Sequence, residues 1–191
     1  MYKSAYFLLV LVVCILFSPN VKAQNTTIED GGDIALIALP AATLVTTAIL
    51  GDFKGSWQFT KGFILNQALT FGLKAGINKT RPDGSDRNSF PSGHTSTVFQ
   101  SASFIHRRYG VVYSLPAYAI AGFTAVSRLY AERHDGFDIL AGAVVGIGSS
   151  YLFTTPYQQE HMELTFNGGD GTYLLGCLLY TSDAADDVST V

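Results

Sequence analysis

Residues 89–99 read SFPSGHTSTVF, a stretch in which a turn leads directly into a helix-like apolar segment. Pro91 and Gly93 favour the turn, and Ser92 or Thr95 could cap a helix that begins there. A helix N-terminus also binds anions, because its first N–H groups have no partner within the helix. The stretch therefore predicts either a simple capped helix or a helix end at which Ser92, the Gly93 backbone and His94 act on an anion.

The composition of the chain favours apolar helices. Of the 191 residues, 48% are hydrophobic and only 14% are charged, whereas a typical soluble domain has about 25% charged residues. The net charge of -3 provides no basic surface, so we expect no nucleic-acid partner. A membrane or a heavily buried helical core explains this composition better.

Five apolar segments follow a polar stretch at 24–33 that we expect to be a flexible lead-in. None alternates with a period of two residues, and the Gly- and Ala-rich fifth segment permits close helix packing. The predicted fold class is all-α, a bundle of about five to six mostly apolar helices embedded in a membrane. Each run is shorter than the ~20 residues that span a bilayer, so a soluble bundle stays open. The segments are 34–50, 63–77, 95–105, 111–126 and 137–153.

The two ends of the chain differ from the segment between them. Residues 1–23 combine Lys3, an apolar run and a small-residue end, the pattern of a secretory signal peptide, with a first membrane helix as the alternative. We expect the domain itself to occupy 34–155 and residues 177–191 to be a non-native tail. Without these ends the chain has no cysteine, so no thiolate metal site is expected.

Charge placement predicts how the helices are oriented. If the apolar segments begin on the exported side, basic residues fall in both cytoplasmic turns, as the positive-inside rule requires. The turns at 78–91 and 127–136 then lie together at the exported end of the bundle. These two exported turns also carry basic residues, which the positive-inside rule does not explain.

These two turns collect side chains that suit the binding and cleavage of a phosphate ester. Lys and Arg neutralise phosphate oxygens, and one His can attack phosphorus while the other protonates the leaving oxygen. Asp138 follows His134 by one helical turn and can accept its far ring N–H. The candidate residues are Lys74, Arg81, Ser92, Gly93, His94, Arg128, His134 and Asp138.

Three motifs run in order through this region: K-x6-RP from Lys74, PSGH from Pro91 and SR-x5-H-x3-D from Ser127. Together they resemble the signature of the phosphatidic acid phosphatase type 2 family, which includes bacterial class A acid phosphatases and vanadium haloperoxidases. The resemblance implies that His94 is the general acid, that His134 is the nucleophile forming a phosphohistidine, and that Asp138 orients His134. It also implies that no metal is used and that phosphate is bound by Lys74, Arg81, Ser92, Gly93 and Arg128.

The expected function is metal-independent hydrolysis of a phosphate ester, most simply a membrane lipid phosphate or lipid diphosphate. We expect the protein in the bacterial cell envelope, in the inner membrane with a periplasmic active site. The alternatives are a soluble periplasmic acid phosphatase acting on small esters, a vanadate-dependent haloperoxidase and a non-catalytic helical membrane protein. We expect no cofactor, and the sequence does not predict the oligomeric state.

Overall fold

The computed structural model describes residues 24–157, 162–169 and 172–179, with side chains from residue 27 to residue 157. The helical bundle confirms the all-α prediction, and an antiparallel β-hairpin that the sequence did not predict follows it. Residues 1–23, the expected signal peptide, and residues 180–191 of the expected tail lie outside the described residues. The elements are α1 (Gln24–Ile49), α2 (Phe53–Ile77), α3 (Gly93–Tyr109), α4 (Val111–Tyr130), α5 (Gly136–Phe153), β1 (Met162–Gly169) and β2 (Thr172–Leu179).

The polar stretch at 24–33 is helical, so the expectation of a flexible lead-in is wrong. Helix α1 begins at Gln24 and continues through Pro40 without a break. The cause is tertiary, because Glu29 pairs with Arg133 at 2.9 Å and Asp33 pairs with Arg128, in the last turn of α4, at 2.9 Å. Such contacts outweigh the low helix propensity of the paired glycines in this stretch.

Helix α3 lies at the centre of the bundle and contacts each of the other four helices. Its buried side chains are mainly small or hydroxyl-bearing. Thr97 accepts a hydrogen bond from Gln67 of α2 at 2.9 Å, and Ser103 pairs with the Tyr118 hydroxyl of α4 at 3.2 Å. Buried polar groups that are paired in this way fix the neighbouring helices in register around α3.

Large apolar side chains face outward from the bundle. Ile37, Phe53, Val112 and Leu152 are each between 71% and 77% exposed. Two helical segments, Thr27–Ile49 and Gly136–Phe153, are long and apolar enough to cross a membrane. A polar interior enclosed by apolar helices suits lipid surroundings, because lipid provides no hydrophobic driving force between helices and polar contacts must hold them together. The bundle therefore has the surface of a membrane-associated protein.

Helix α5 approaches α3 closely at two glycines. A Cβ atom at Gly142 would lie 2.5 Å from the carbonyl oxygen of Ser92, and one at Gly146 would lie 2.2 Å from that of Ser96. No side chain fits at either position without moving a helix. The close packing expected from the fifth segment is confirmed, and it brings the start of α3 against the start of α5.

We expect Gly146→Val to destabilise the bundle, because its Cβ atom alone would collide with the α3 backbone. Overpacking of this kind costs ~1–3 kcal/mol and lowers the midpoint of thermal unfolding. Unfolding in detergent, followed by circular dichroism, measures the change. Gly148→Ala is the matched control, since nothing lies within 4 Å of its Cβ position and alanine favours the helix. Equal midpoints for the two variants would contradict the packing argument.

Candidate active site

The two turns at one end of the bundle lie against each other, as the sequence predicted. The loop at 78–92 follows α2, and the turn at 131–135 joins α4 to α5. The Asp83 N–H donates to the Glu132 carbonyl oxygen at 3.1 Å, and Arg133 pairs with the Asp83 carboxylate at 3.2 Å. The candidate residues lie in these turns or in the helical turns that flank them.

Ser92, one of the two caps that the sequence predicted, is the N-cap of α3. Its hydroxyl oxygen accepts hydrogen bonds from Thr95 N at 3.4 Å and from Thr95 Oγ1 at 3.0 Å. The Ser92 N–H donates to the carbonyl oxygen of Asp138 at 2.9 Å, which ties α3 to the first turn of α5. Gly93 and His94 form the first turn of α3, where backbone N–H groups and the helix dipole attract anions.

His134 and Asp138 lie side by side at the start of α5. His134 is only 3% exposed, and its Nδ1 lies 3.8 Å from Asp138 Oδ2. This distance is too long for a hydrogen bond, and Nδ1 is a buried atom without a partner among the described residues. The orienting role of Asp138 therefore stays a prediction.

The surroundings of His134 favour its neutral form. Burial lowers the pKa of His134 to about 4, and the positive charges of Lys74 and Arg81 act in the same direction. The Asp138 carboxylate and the Ser89 backbone oppose this shift with a smaller effect. A neutral imidazole keeps a free lone pair, which is the form that a nucleophile requires.

The buried carboxylate of Asp138 is held by two side chains that sequence reasoning did not assign to the site. Lys79 Nζ donates to Oδ1 at 2.8 Å, and the Ser89 hydroxyl donates to Oδ2 at 2.5 Å. Lys79 also donates to Asp135, the N-cap of α5, at 2.5 Å. Ser89 precedes the PSGH motif by two positions, which is a weak signal. Nothing in the spacing of Lys79 indicates a partner 59 residues away.

Lys74, Arg81 and Arg128 bring positive charge to the same end of the bundle. Lys74 Nζ donates to the Asn88 carbonyl oxygen at 2.5 Å, and Arg81 Nε donates to Asp86 Oδ1 at 2.8 Å. Arg128 is 2% exposed, and its Nη2 donates to a backbone carbonyl of α1. These contacts hold the cations in fixed places, which lowers the ordering cost of binding an anion there.

Asp33 of α1 adds a carboxylate that sequence reasoning missed. Its Oδ1 accepts a hydrogen bond from Arg128 Nη1 at 2.9 Å and lies 2.8 Å from His94 Nε2. Burial lowers the pKa of His94, and Arg128 lowers it further, whereas Asp33 opposes the shift. Asp33 follows Glu29 by one helical turn, and this spacing is the only sequence feature that indicates its role.

A cavity of about 450 Å³ opens between α1, α2 and α3 beside these residues. Lys74, Gly93 and His94 line one part of it, and the rest is mainly apolar, with Leu36, Ile37, Pro40, Phe63 and Phe71. A larger cavity of about 660 Å³ lies around Tyr109 at the other end of α3, and no motif residue lines it. The smaller cavity is therefore the one that can hold an amphiphile next to the motif residues.

The described part of the chain contains no group of three or more His, Cys, Asp or Glu side chains placed to hold a metal ion. The groups at this end that could bind an anion are the Lys and Arg side chains and the backbone N–H groups at the start of α3. That the protein uses neither metal nor cofactor stays a prediction.

Comparison with known proteins agrees with this geometry. The family model of the PAP2 superfamily matches residues 55–162. A lipid A 4'-phosphatase of Helicobacter pylori is 28% identical over 85% of this chain and 87% of its own length. A lipid A 1-phosphatase of Porphyromonas gingivalis is 38% identical over 50% of this chain, but the match covers only 24% of that protein. The crystal structure of Aquifex aeolicus LpxE superposes with a TM-score of 0.61 and 20% identity, covering 70% of this chain and 86% of that one.

We expect Lys74→Gln to raise the pKa of His134 from about 4 toward its ordinary value, because one of the two cations that disfavour the imidazolium is removed. Nitrogen NMR of the protein labelled at histidine, titrated in detergent, measures this pKa. Lys61→Gln is the matched control, since Lys61 lies on the same helix but packs over Phe153. A His134 ring that is already protonated near neutral pH, or an equal shift in both variants, would contradict the electrostatic argument.

Proposed function

The chain belongs to the PAP2 superfamily, and from this membership we propose that it is a metal-independent phosphatase of lipid phosphate monoesters. The observation that carries the proposal is the buried His134 beside Asp138, in surroundings whose burial and two cations lower its pKa to about 4. Because the relatives named above are lipid A phosphatases, we propose a lipid A phosphate as the first substrate to test.

The proposed reaction has two steps that share one phosphate pocket. His134 attacks phosphorus through Nε2, the P–O bond of the ester breaks, and His94 gives a proton to the leaving oxygen. Water then attacks the phosphohistidine, and His94 takes a proton from that water. The reaction thus releases an alcohol and inorganic phosphate, and both rings return to their starting forms.

The charge that develops on the phosphate oxygens is met by donors that are already in place. The positive charges of Lys74 and Arg81 act on His134, so both cations lie near the proposed nucleophile. Arg128 reaches the same end of the bundle from α4. The Ser92–Gly93 start of α3 supplies backbone N–H groups, which is the reason the motif stands at a helix end. Preorganised donors of this kind lower the barrier because they need no rearrangement as charge moves.

A membrane-embedded enzyme suits both the surface of the bundle and its smaller cavity. We propose that acyl chains occupy the apolar part of this cavity while the phosphate lies at Lys74 and His94. The proposed location is the bacterial inner membrane, with the active site on the periplasmic face. The exposed apolar side chains and the lipid A phosphatase relatives favour this over a soluble acid phosphatase or a haloperoxidase.

We expect His134→Ala to reduce kcat by ~10³-fold or more with every phosphate ester, because the nucleophile is lost. Phosphate release from lipid A, phosphatidate and p-nitrophenyl phosphate, measured with EDTA present, tests the function and the independence from metal. Trapping of labelled phosphate on the wild-type chain, stable to alkali and labile to acid, identifies the phosphohistidine.

His106→Ala is the matched control for this experiment, since that ring stacks edge-on with Tyr118 away from the motifs and should keep near-normal turnover. The proposal fails if His134→Ala retains substantial activity, or if EDTA abolishes turnover in the wild type. Preference for small esters over all lipids would instead support the soluble acid phosphatase.

We expect Leu36→Trp to reduce kcat/KM for lipid phosphates by ~10-fold or more and to spare p-nitrophenyl phosphate, because the indole fills the apolar part of the cavity. Ala38→Trp is the matched control, as Ala38 is an exposed residue of α1 that does not line the cavity. Equal losses with lipid and soluble substrates would contradict the proposed binding of acyl chains in this cavity.

A further inference from the structure

Helix α1 lies outside the three motifs, yet it supplies a carboxylate that contacts two motif residues. Asp33 Oδ1 contacts His94 Nε2 at 2.8 Å and Arg128 Nη1 at 2.9 Å, so a single oxygen bridges two motif residues. The other ring nitrogen of His94, Nδ1, has no hydrogen-bond partner among the described residues. The Asp33 side chain is 51% exposed, which places it at the mouth of the site.

The position of Asp33 is built into the packing of α1. A Cβ atom at Gly32 would lie 2.2 Å from Ser127 Oγ and 2.6 Å from Arg128 Nη2, so only glycine permits this approach. One turn earlier, the Glu29 carbonyl accepts from Arg128 and its carboxylate pairs with Arg133 at 2.9 Å. The glycine and both carboxylates therefore hold this end of α1 against α4.

We propose that Asp33 is a positioning residue that accepts a hydrogen bond from His94 Nε2 and thereby presents the Nδ1 proton to the leaving oxygen. This inference rests on the phosphatase function proposed above. Asp33 would do for the acid what Asp138 is expected to do for the nucleophile, namely fix one ring nitrogen so that the other faces phosphorus or its leaving group.

The proton balance of the reaction gives Asp33 a defined task. As the P–N bond to His134 forms and the P–O bond breaks, the Nδ1 proton of His94 moves to the leaving oxygen, and Nδ1 regains it from water in the second step. His94 must therefore begin the first step protonated at both nitrogens. The Asp33 carboxylate stabilises that imidazolium through its contact with Nε2.

The charges around His94 show why this stabilisation is needed. Burial and the guanidinium groups of Arg128 and Arg81 lower the pKa of His94, and Asp33 is the carboxylate that opposes them. Lys74 of α2 lines the same cavity. On the α5 side, the carboxylate of Asp138 is already offset by Lys79. Removing the Asp33 charge therefore lowers the pKa of His94, and activity is lost at lower pH as the ring deprotonates.

The test exploits the leaving group, because an alkoxide needs a proton and p-nitrophenolate does not. We expect Asp33→Asn to reduce kcat for lipid phosphates and simple alkyl phosphates by ~10²-fold, and kcat for p-nitrophenyl phosphate by only ~3-fold. The alkaline limb of the rate profile for alkyl esters should move to lower pH. Asp33→Glu should recover part of the alkyl phosphatase activity.

Glu29→Gln is the matched control on the same helix. It weakens the pairing with Arg133 but leaves the Asp33–His94 contact, so it should change the rates with alkyl and aryl esters by the same factor. A role of Asp33 in docking α1 alone would likewise affect both esters equally. Equal factors for Asp33→Asn would therefore overturn the proposal.

A different result would show that Asp33 only occupies the place of a phosphate oxygen. Asp33→Asn would then bind inorganic phosphate more tightly and would accelerate both classes of ester, which also overturns the proposal. Phosphohistidine trapping separates this failure from that of the proposed function. If the wild type traps phosphate and Asp33→Asn has no leaving-group dependence, only the role of Asp33 fails; if the wild type traps none, the phosphohistidine mechanism fails as well.

Discussion

The site depends on the close contact between α3 and α5, which only glycine at 142 and 146 allows. At this distance the N–H of Ser92 reaches the Asp138 carbonyl oxygen, so the start of α3, where phosphate binding is proposed, and the start of α5 form one unit. Larger residues at these positions would collide with the α3 backbone and push the two helix starts apart. Helix packing at small residues is thus the constraint that makes the motifs a site.

The polar interior follows from the same constraint. Because α3 is surrounded by other helices at short distance, its buried positions take Ser, Thr and Ala, and the bulky apolar side chains are placed on the outside of the bundle. In water this arrangement would leave a large apolar surface exposed. In lipid the apolar side chains face acyl chains instead of water, and the hydrogen bonds of the polar interior hold the helices together. The membrane is therefore part of the physical account of why a chain with so polar a core forms a compact bundle.

The helices, their number and the motif residues were predictable from the sequence, because apolar runs and contiguous motifs are local signals. The N-cap role of Ser92, one of two candidates, and the close packing of the fifth segment were also predicted and are confirmed. The helical form of 24–33 was not, since its paired glycines and polar residues indicate a loop until Ser127 and Arg128 are placed against Gly32. Lys79 and Asp33 were missed for the same reason: their partners are distant in the chain, and no local pattern encodes a contact made through tertiary packing.

The two histidines meet opposite requirements, and their surroundings differ accordingly. In the proposed mechanism the nucleophile must be neutral. His134 is buried near Lys74 and Arg81, and the carboxylate of Asp138 beside it is shared with Lys79 and Ser89. That sharing limits how far Asp138 can raise the pKa of His134. The proposed acid, His94, must carry a proton, and it contacts the half-exposed carboxylate of Asp33, whose other partner is Arg128. Burial lowers the pKa of both rings, and a carboxylate opposes the shift at each, Asp138 at His134 and Asp33 at His94. In the proposed mechanism the direct contact with Asp33 is what favours the protonated form of His94, as a reaction with one nucleophile and one acid needs.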